Sequence, residues 1–132
     1  MAEAILRHLT RGMAYVASAG TRPQPEIHPM ARETVARLFG LNMSGQFPKR
    51  VNQFVGRSFD YVITVCDHAA ETCPVFPGET KRIHWSFEDP AAGDDADHRQ
   101  RFERIAREIH ERFTEWLSLP DVREQLAQST TA

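Results

Sequence analysis

The chain has 132 residues, 41% apolar and 26% charged, the size and balance of one ordinary globular domain. A formal net charge of −2, from 16 basic and 18 acidic residues, argues against nucleic acid as the main partner, and no basic run tracks a phosphate backbone. No apolar stretch approaches the ~18 residues of a membrane helix, and the start, Met1 to Thr10, lacks the apolar core and cleavage site of a signal peptide.

The expected compartment is therefore the cytoplasm. A thiol pair there is more often catalytic or metal-binding than structural.

Met1 to Leu9 reads as a helix, with Ala2, Ile5, Leu6 and Leu9 at spacings of three and four. A short strand is expected at Ala14 to Ala17, ending in Ser18-Ala19-Gly20, and a turn comes next with Pro23 and Pro25. A second helix starts near Pro29, a residue favoured in a first turn, and stops at Gly40, a suitable C-terminal cap. Ala31, Val35, Leu38 and Phe39 are its expected apolar side. Pro48 to Val55 is expected to form a short helix, with Val51, Phe54 and Val55 inward.

Phe59 to Cys66 is short, β-branched and not strictly alternating, the pattern of a buried parallel strand. Asp67 to Thr72 reads as a small helix or loop, and Pro74 and Pro77 interrupt the chain beyond it. Lys81 to Phe87 is expected as another strand. A long helix from about Asp97 to Leu117 carries an apolar stripe of Phe102, Ile105, Ala106, Ile109, Phe113, Trp116 and Leu117. Glu103–Arg107 and Glu108–Arg112 are favourable pairs on its wet side. Leu119-Pro120 reads as its stop, so one domain is expected over residues 1–119 and a loose tail over 120–132.

Helices alternating with strands imply an α/β fold with a parallel sheet between helical layers. Such units normally open with a strand. This order opens with a helix, which implies a further strand ahead of it.

Open parallel sheets place ligands at the carboxyl ends of their strands. Cys66 ends one expected strand, and Asp89 sits just past the end of another. A thiol and a carboxyl group are thus expected at one edge. Six residues separate Cys66 from Cys73. Along an intact helix their α-carbons would lie about 10 Å apart. A disulfide needs about 7 Å or less. Bonding would therefore require the segment to unwind, as in a redox switch. Other readings stand beside this one. Cys66 can be a buried small apolar residue with Cys73 incidental. Cys66, His68, Cys73 and His84 can form a mixed thiolate–imidazole metal set, although their spacing matches no common zinc pattern. Asp89, before Pro90, can be a turn residue.

Longer strings change the balance. Val62-Ile63-Thr64-Val65-Cys66-Asp67, Cys73-Pro74-Val75-Phe76-Pro77-Gly78 and His84-Trp85-Ser86-Phe87-Glu88-Asp89-Pro90-Ala91 resemble the thioredoxin-coupled arsenate reductases of the low-molecular-weight tyrosine-phosphatase superfamily. Met1-Ala2-Glu3-Ala4 and Ser18-Ala19-Gly20-Thr21 resemble the same family's first helix and second strand, and the likeness runs in order to about Leu117. It implies a phosphatase I-like three-layer α/β sandwich with a short parallel sheet flanked by helices.

The resemblance also implies a thiol relay without a bound cofactor. A loop cysteine attacks arsenate, and the position of Cys66 attacks that cysteine and releases arsenite. The position of Cys73 then closes a Cys66–Cys73 disulfide for thioredoxin to reduce, while the position of Asp89 protonates the leaving oxygen.

The family opens with a strand and a Cys-x5-Arg-Ser loop ahead of the Met-Ala-Glu-Ala helix. No Cys-x5-Arg occurs here: Thr72 and Glu79 stand where the arginine would be, counting from Cys66 or Cys73. The expectation is a fold missing its first, central strand, from a misassigned start codon, a cut chain or a degenerate gene. The 132-residue chain is expected to be inactive as it stands. A noncatalytic interaction module and a plain tyrosine phosphatase are the rival expectations.

Overall fold

In the computed structural model, the described residues are 1–20, 26–43, 45–46, 48–54, 56–65, 80–88, 90 and 97–130, the last three by backbone alone. They belong to two compact units, one drawn from Met1–Ser18, His28–Gln46 and Pro90–Ala132, the other from Ala19–Ile27 and Phe47–Asp89.

The first unit is helical. It contains α1 (Ala2–Leu9), α2 (Pro29–Phe39), α3 (His98–Leu117) and α4 (Pro120–Thr130). Helix α3 packs against the other three. Its stripe is buried at Phe102, Ile105, Ala106, Ile109 and Phe113, and it meets Ile5 of α1 and Val35 of α2 in a core closed to water. Removing one such aliphatic side chain from water is worth about 1.5–3 kcal/mol. Trp116 and Leu117 of the expected stripe are only half-buried.

Local signals fix the ends of α2. His28 precedes Pro29, and its Nδ1 accepts from the Met30 amide at 3.1 Å, so an imidazole takes the usual place of a capping hydroxyl or carboxylate. Gly40 closes the helix in the left-handed region at φ 67°, where a side chain would be strained. Its amide reaches the Ala36 carbonyl at 3.0 Å and that of Leu41 reaches Val35 at 3.2 Å.

Helices α2 and α3 are joined by polar contacts as well. Glu103 accepts from Arg107, one turn on, at 3.0 Å and from Arg37 of α2 at 3.2 Å. The Arg107 hydrogen bond first, and the Arg37 bond second, hold the Glu103 carboxyl below the usual carboxylate range. Glu108 is paired with Arg104 at 3.5 Å. Phe39 stacks on His110, with ring centroids 4.8 Å apart and an interplanar angle of 10°.

Two expectations fail here. Ala14 to Ala17 forms no strand among the described residues. The segment is tied by side chains of α1 instead: Arg7 donates to the Val16 carbonyl at 2.8 Å, and Glu3 accepts from the Ser18 amide at 2.9 Å. The expected loose tail is the helix α4. The long helix does end at Leu117, just before Leu119-Pro120 as expected, and Pro120 then starts α4, which Val122, 3% exposed, anchors.

The second unit holds the sheet. Strands β1 (Tyr61–Thr64) and β2 (Lys81–His84) are parallel, in register from Tyr61 opposite Lys81 to Thr64 opposite His84. The α/β class and the parallel sheet expected from the sequence are what the chain shows. Both strands are shorter than their apolar runs. Backbone pairing nevertheless outlasts them, with the Trp85 amide on the Thr64 carbonyl at 2.8 Å and that of Phe87 on Val65 at 3.2 Å.

Before β1, Val51–Phe54 forms one 3-10 turn in place of the longer expected helix, with Phe54 buried and Val51 half-buried. Val55 lies outside the described residues. A single parallel bridge joins Gly20 to Arg50. Phe54 and Phe59 meet edge to face at 5.9 Å, and the Arg57 guanidinium lies over both rings, 5.5 and 5.8 Å from their centroids. No helix among the described residues is long and apolar enough to cross a membrane.

Candidate functional site

The parallel pairing of β1 and β2 sends both chains out at one edge of the sheet. Val65 leads from β1 toward Cys66, and Trp85 to Glu88 lead from β2 toward Asp89. The two strand ends therefore lie side by side at one edge. Cys66, Cys73 and Asp89 themselves lie outside the described residues.

The last paired residues of the two strands are also joined by their side chains. Thr64 Oγ1 and His84 Nδ1 are hydrogen-bonded at 2.7 Å. Thr64 is buried and His84 exposed. At the opposite end of β2, Thr80 Oγ1 donates to the Phe59 carbonyl at 2.8 Å and the Lys81 amide to Asp60 at 3.0 Å. Both ends of the short ladder are thus fastened. The sequence gives no signal for these side-chain bonds, because cross-strand register cannot be read from one strand alone.

Among the described residues, no group of three His, Cys, Asp or Glu side chains could hold a metal ion. His84, the described member of the expected metal set, has its Nδ1 engaged by Thr64. His68 lies outside the described residues with the two cysteines.

A second polar cluster escapes a reading of the sequence. Glu3 is 5% exposed and accepts from both the Ser18 amide, at 2.9 Å, and the Ser18 hydroxyl, at 2.7 Å. Arg7 lies 3.0 Å from the other carboxylate oxygen. The available signal is the i,i+4 Glu3–Arg7 spacing, which predicts a pair on a helix but not its burial. The cluster secures the backbone at Ser18, the first residue of the Ser-Ala-Gly-Thr string.

Helices, parallel strands and the Ser-Ala-Gly-Thr string succeed one another in a single order, and that order can be compared with known proteins. The family model for low molecular weight phosphotyrosine protein phosphatase matches residues 1–130. The chain belongs to the low molecular weight phosphotyrosine protein phosphatase family.

Within this family its relatives include arsenate reductases. That of Halalkalibacterium halodurans is 33% identical over 89 residues, 66% of this chain and 63% of that protein. That of Bacillus licheniformis is 36% identical over 79 residues, 58% of this chain and 57% of that protein. The matched stretch thus spans about three fifths of both relatives. For the arsenate reductase of Shouchella clausii the identity is 31% over 115 residues, 86% of this chain and 81% of that protein.

Solved structures agree on the fold. An arsenate reductase in its reduced state superposes with a TM-score of 0.64 at 25% identity, covering 89% of this chain and 85% of that one. An arsenate reductase in a phosphate-binding state gives a TM-score of 0.68 at 24% identity with the same coverage, which shows a shared fold.

Proposed function

We propose that this chain carries the relay portion of an arsenate reductase. Its likeness to arsenate reductases over most of its length carries the reading. The common exit edge of β1 and β2 is consistent with it.

In the proposed reaction, a loop cysteine attacks arsenate while Asp89 gives a proton to the departing oxygen. General acid help is what expulsion of hydroxide at neutral pH requires. The Cys66 thiolate then attacks the sulfur of the arseno-cysteine. A disulfide forms, the As–S electron pair stays on arsenic, and arsenic(V) leaves as arsenite, arsenic(III). Cys73 attacks Cys66, frees the first cysteine and leaves a Cys66–Cys73 disulfide. Exchange with the two thiols of thioredoxin restores it. The cytoplasm, where thiols stay reduced, is the proposed location.

The 132-residue chain contains no Cys-x5-Arg. Its proposed state alone is therefore inactive. Such a loop supplies a nucleophile of lowered pKa and backbone donors for the oxyanion, and one lost donor costs about 100-fold or more.

The test is a thioredoxin-coupled assay of arsenite production. The chain alone should be silent. Fusing a family strand and Cys-x5-Arg-Ser loop ahead of Met1 should restore turnover, and Cys66→Ser or Cys73→Ser should abolish it in that fusion. The phosphatase named by the matching family model is the second reading. It predicts hydrolysis of aryl phosphates by the fusion, unchanged by Cys73→Ser. An interaction module predicts neither activity.

A further inference from the structure

The Thr64–His84 hydrogen bond lies where the proposed chemistry has to be organised. Thr64 and His84 are direct partners in the β1–β2 register, and both are terminal residues of their strands. One residue separates Thr64 from Cys66, and four separate His84 from Asp89. Their side chains meet at 2.7 Å. Beyond them the backbones remain joined at Trp85–Thr64, 2.8 Å, and at Phe87–Val65, 3.2 Å.

Two strands of four residues each make a short ladder. The end of such a ladder is the first part to open, because its last bonds are held from one side only. A side-chain bond across the last paired strand residues, just behind the two backbone bonds that continue the ladder, opposes that opening. It keeps Val65, the residue before Cys66 in the sequence, in one register against the segment Trp85 to Glu88 that precedes Asp89.

We propose that the Thr64–His84 pair is a positioning element of the thiol relay, holding the β1–β2 exit closed so that Cys66 departs on the path that lets it bond Cys73. The inference rests on the relay reading above. Neither Thr64 nor His84 need touch a reacting sulfur for this role.

The experiment measures first-order closure of the Cys66–Cys73 disulfide after diamide treatment of the full chain. Two thiols lose two hydrogens, diamide gains them, and one S–S bond forms. His84→Ala and Thr64→Val should each slow closure about three- to tenfold, the effect of one lost hydrogen bond. The double variant should be no slower than either single one, since both remove the same bond. His84→Asn, whose side-chain amide can reach the position of Nδ1, and Thr64→Ser should close at close to the wild-type rate.

Circular dichroism at the assay temperature confirms that each variant is folded. The two rescuing variants separate a lost hydrogen bond from general damage. Closure by His84→Ala and Thr64→Val within about twofold of wild type overturns the positioning role and leaves the relay standing. So does a His84→Asn chain as slow as His84→Ala. A wild-type chain whose two thiols never join overturns the relay reading and the positioning role together.

Discussion

Glu3 and Ser18, fifteen residues apart in sequence, are joined by two hydrogen bonds to one carboxylate oxygen, at 2.9 Å from the amide and 2.7 Å from the hydroxyl. Arg7 binds the other carboxylate oxygen at 3.0 Å and itself donates to Val16 at 2.8 Å. Helix α1 thereby dictates the path of the chain just after it. Glu3→Ala should destabilise the domain by about 1–3 kcal/mol, because it removes the buried carboxylate that accepts both hydrogen bonds from Ser18 and pairs with Arg7. Urea denaturation checks this. A change below about 0.5 kcal/mol would mean the clamp contributes no more than an ordinary surface contact.

The core around α3 makes a sharper prediction. Ile105 is 1% exposed and central to the stripe. Ile105→Ala should cost about 2–5 kcal/mol through lost burial and the cavity left behind. Arg99→Ala, on an exposed position of the same helix, should stay within about 0.5 kcal/mol of wild type. Equal losses in both variants would contradict the assignment of Ile105 to the core.

Glu103 sets a pH dependence. Its carboxyl is held below the ordinary value of 4.5, first by Arg107 and then by Arg37. A lowered folded-state pKa contributes stability above the unfolded value. That contribution fades as pH falls through the lower, folded value. Wild type should therefore melt above Glu103→Gln at pH 7, and the gap should narrow as acid is added below 4.5. The site is solvent-exposed, so the gap should be small and should shrink with salt. A gap constant from pH 7 to strong acid would assign it to something other than this ionisation.

Hydrogen exchange should rank the two units. Amides of Ile105 and Ile109 lie inside a long helix with a closed core, whereas β1 is paired only with β2 among the described residues. The α3 amides should outlast those of Val62 to Thr64 by about tenfold or more. Equal protection would show that β1 is far better supported than a two-strand ladder explains.

Mild oxidation bears on the proposed redox pair. Diamide should remove two hydrogens from the chain, read as a mass loss by mass spectrometry, and should protect Cys66 and Cys73 from alkylation. Two thiols that remain alkylatable after treatment would end the relay reading.

In the sequence, α2 is legible almost to the residue. Pro29 and Gly40 act through local backbone geometry, which needs no knowledge of the rest of the fold. The buried face of α3 is equally legible, since a stripe repeating with the helical period has one way to leave water. Ala14 to Ala17 misleads because side chains of α1 hold the chain there, Arg7 at the Val16 carbonyl and Glu3 at Ser18 just beyond, and their reach depends on tertiary position. Pro120 is half legible: the long helix ends before it as expected, but proline can also begin a helix, and the burial of Val122 that favours α4 is a tertiary contact.

At the site, strand position makes Cys66 and Asp89 candidates and the family resemblance adds the pairing with Cys73, but all three lie outside the described residues. Neither signal suffices for the Thr64–His84 bond, which depends on the pairing register between strands. From sequence alone His84 stands out only as one member of a metal set.

The central place of α3 also shapes how the chain is made. Its partners α1 and α2 emerge from the ribosome before it, and α3 begins only at His98, 59 residues after Phe39 ends α2. At about 5–20 residues per second, some 3–12 s of synthesis separate the end of α2 from the start of α3. Over that interval the apolar faces of Ile5 and Val35 lack the helix that covers them. The nascent chain therefore offers a timed window for chaperone capture, and this window closes only when the Phe102-to-Phe113 stretch has cleared the exit tunnel.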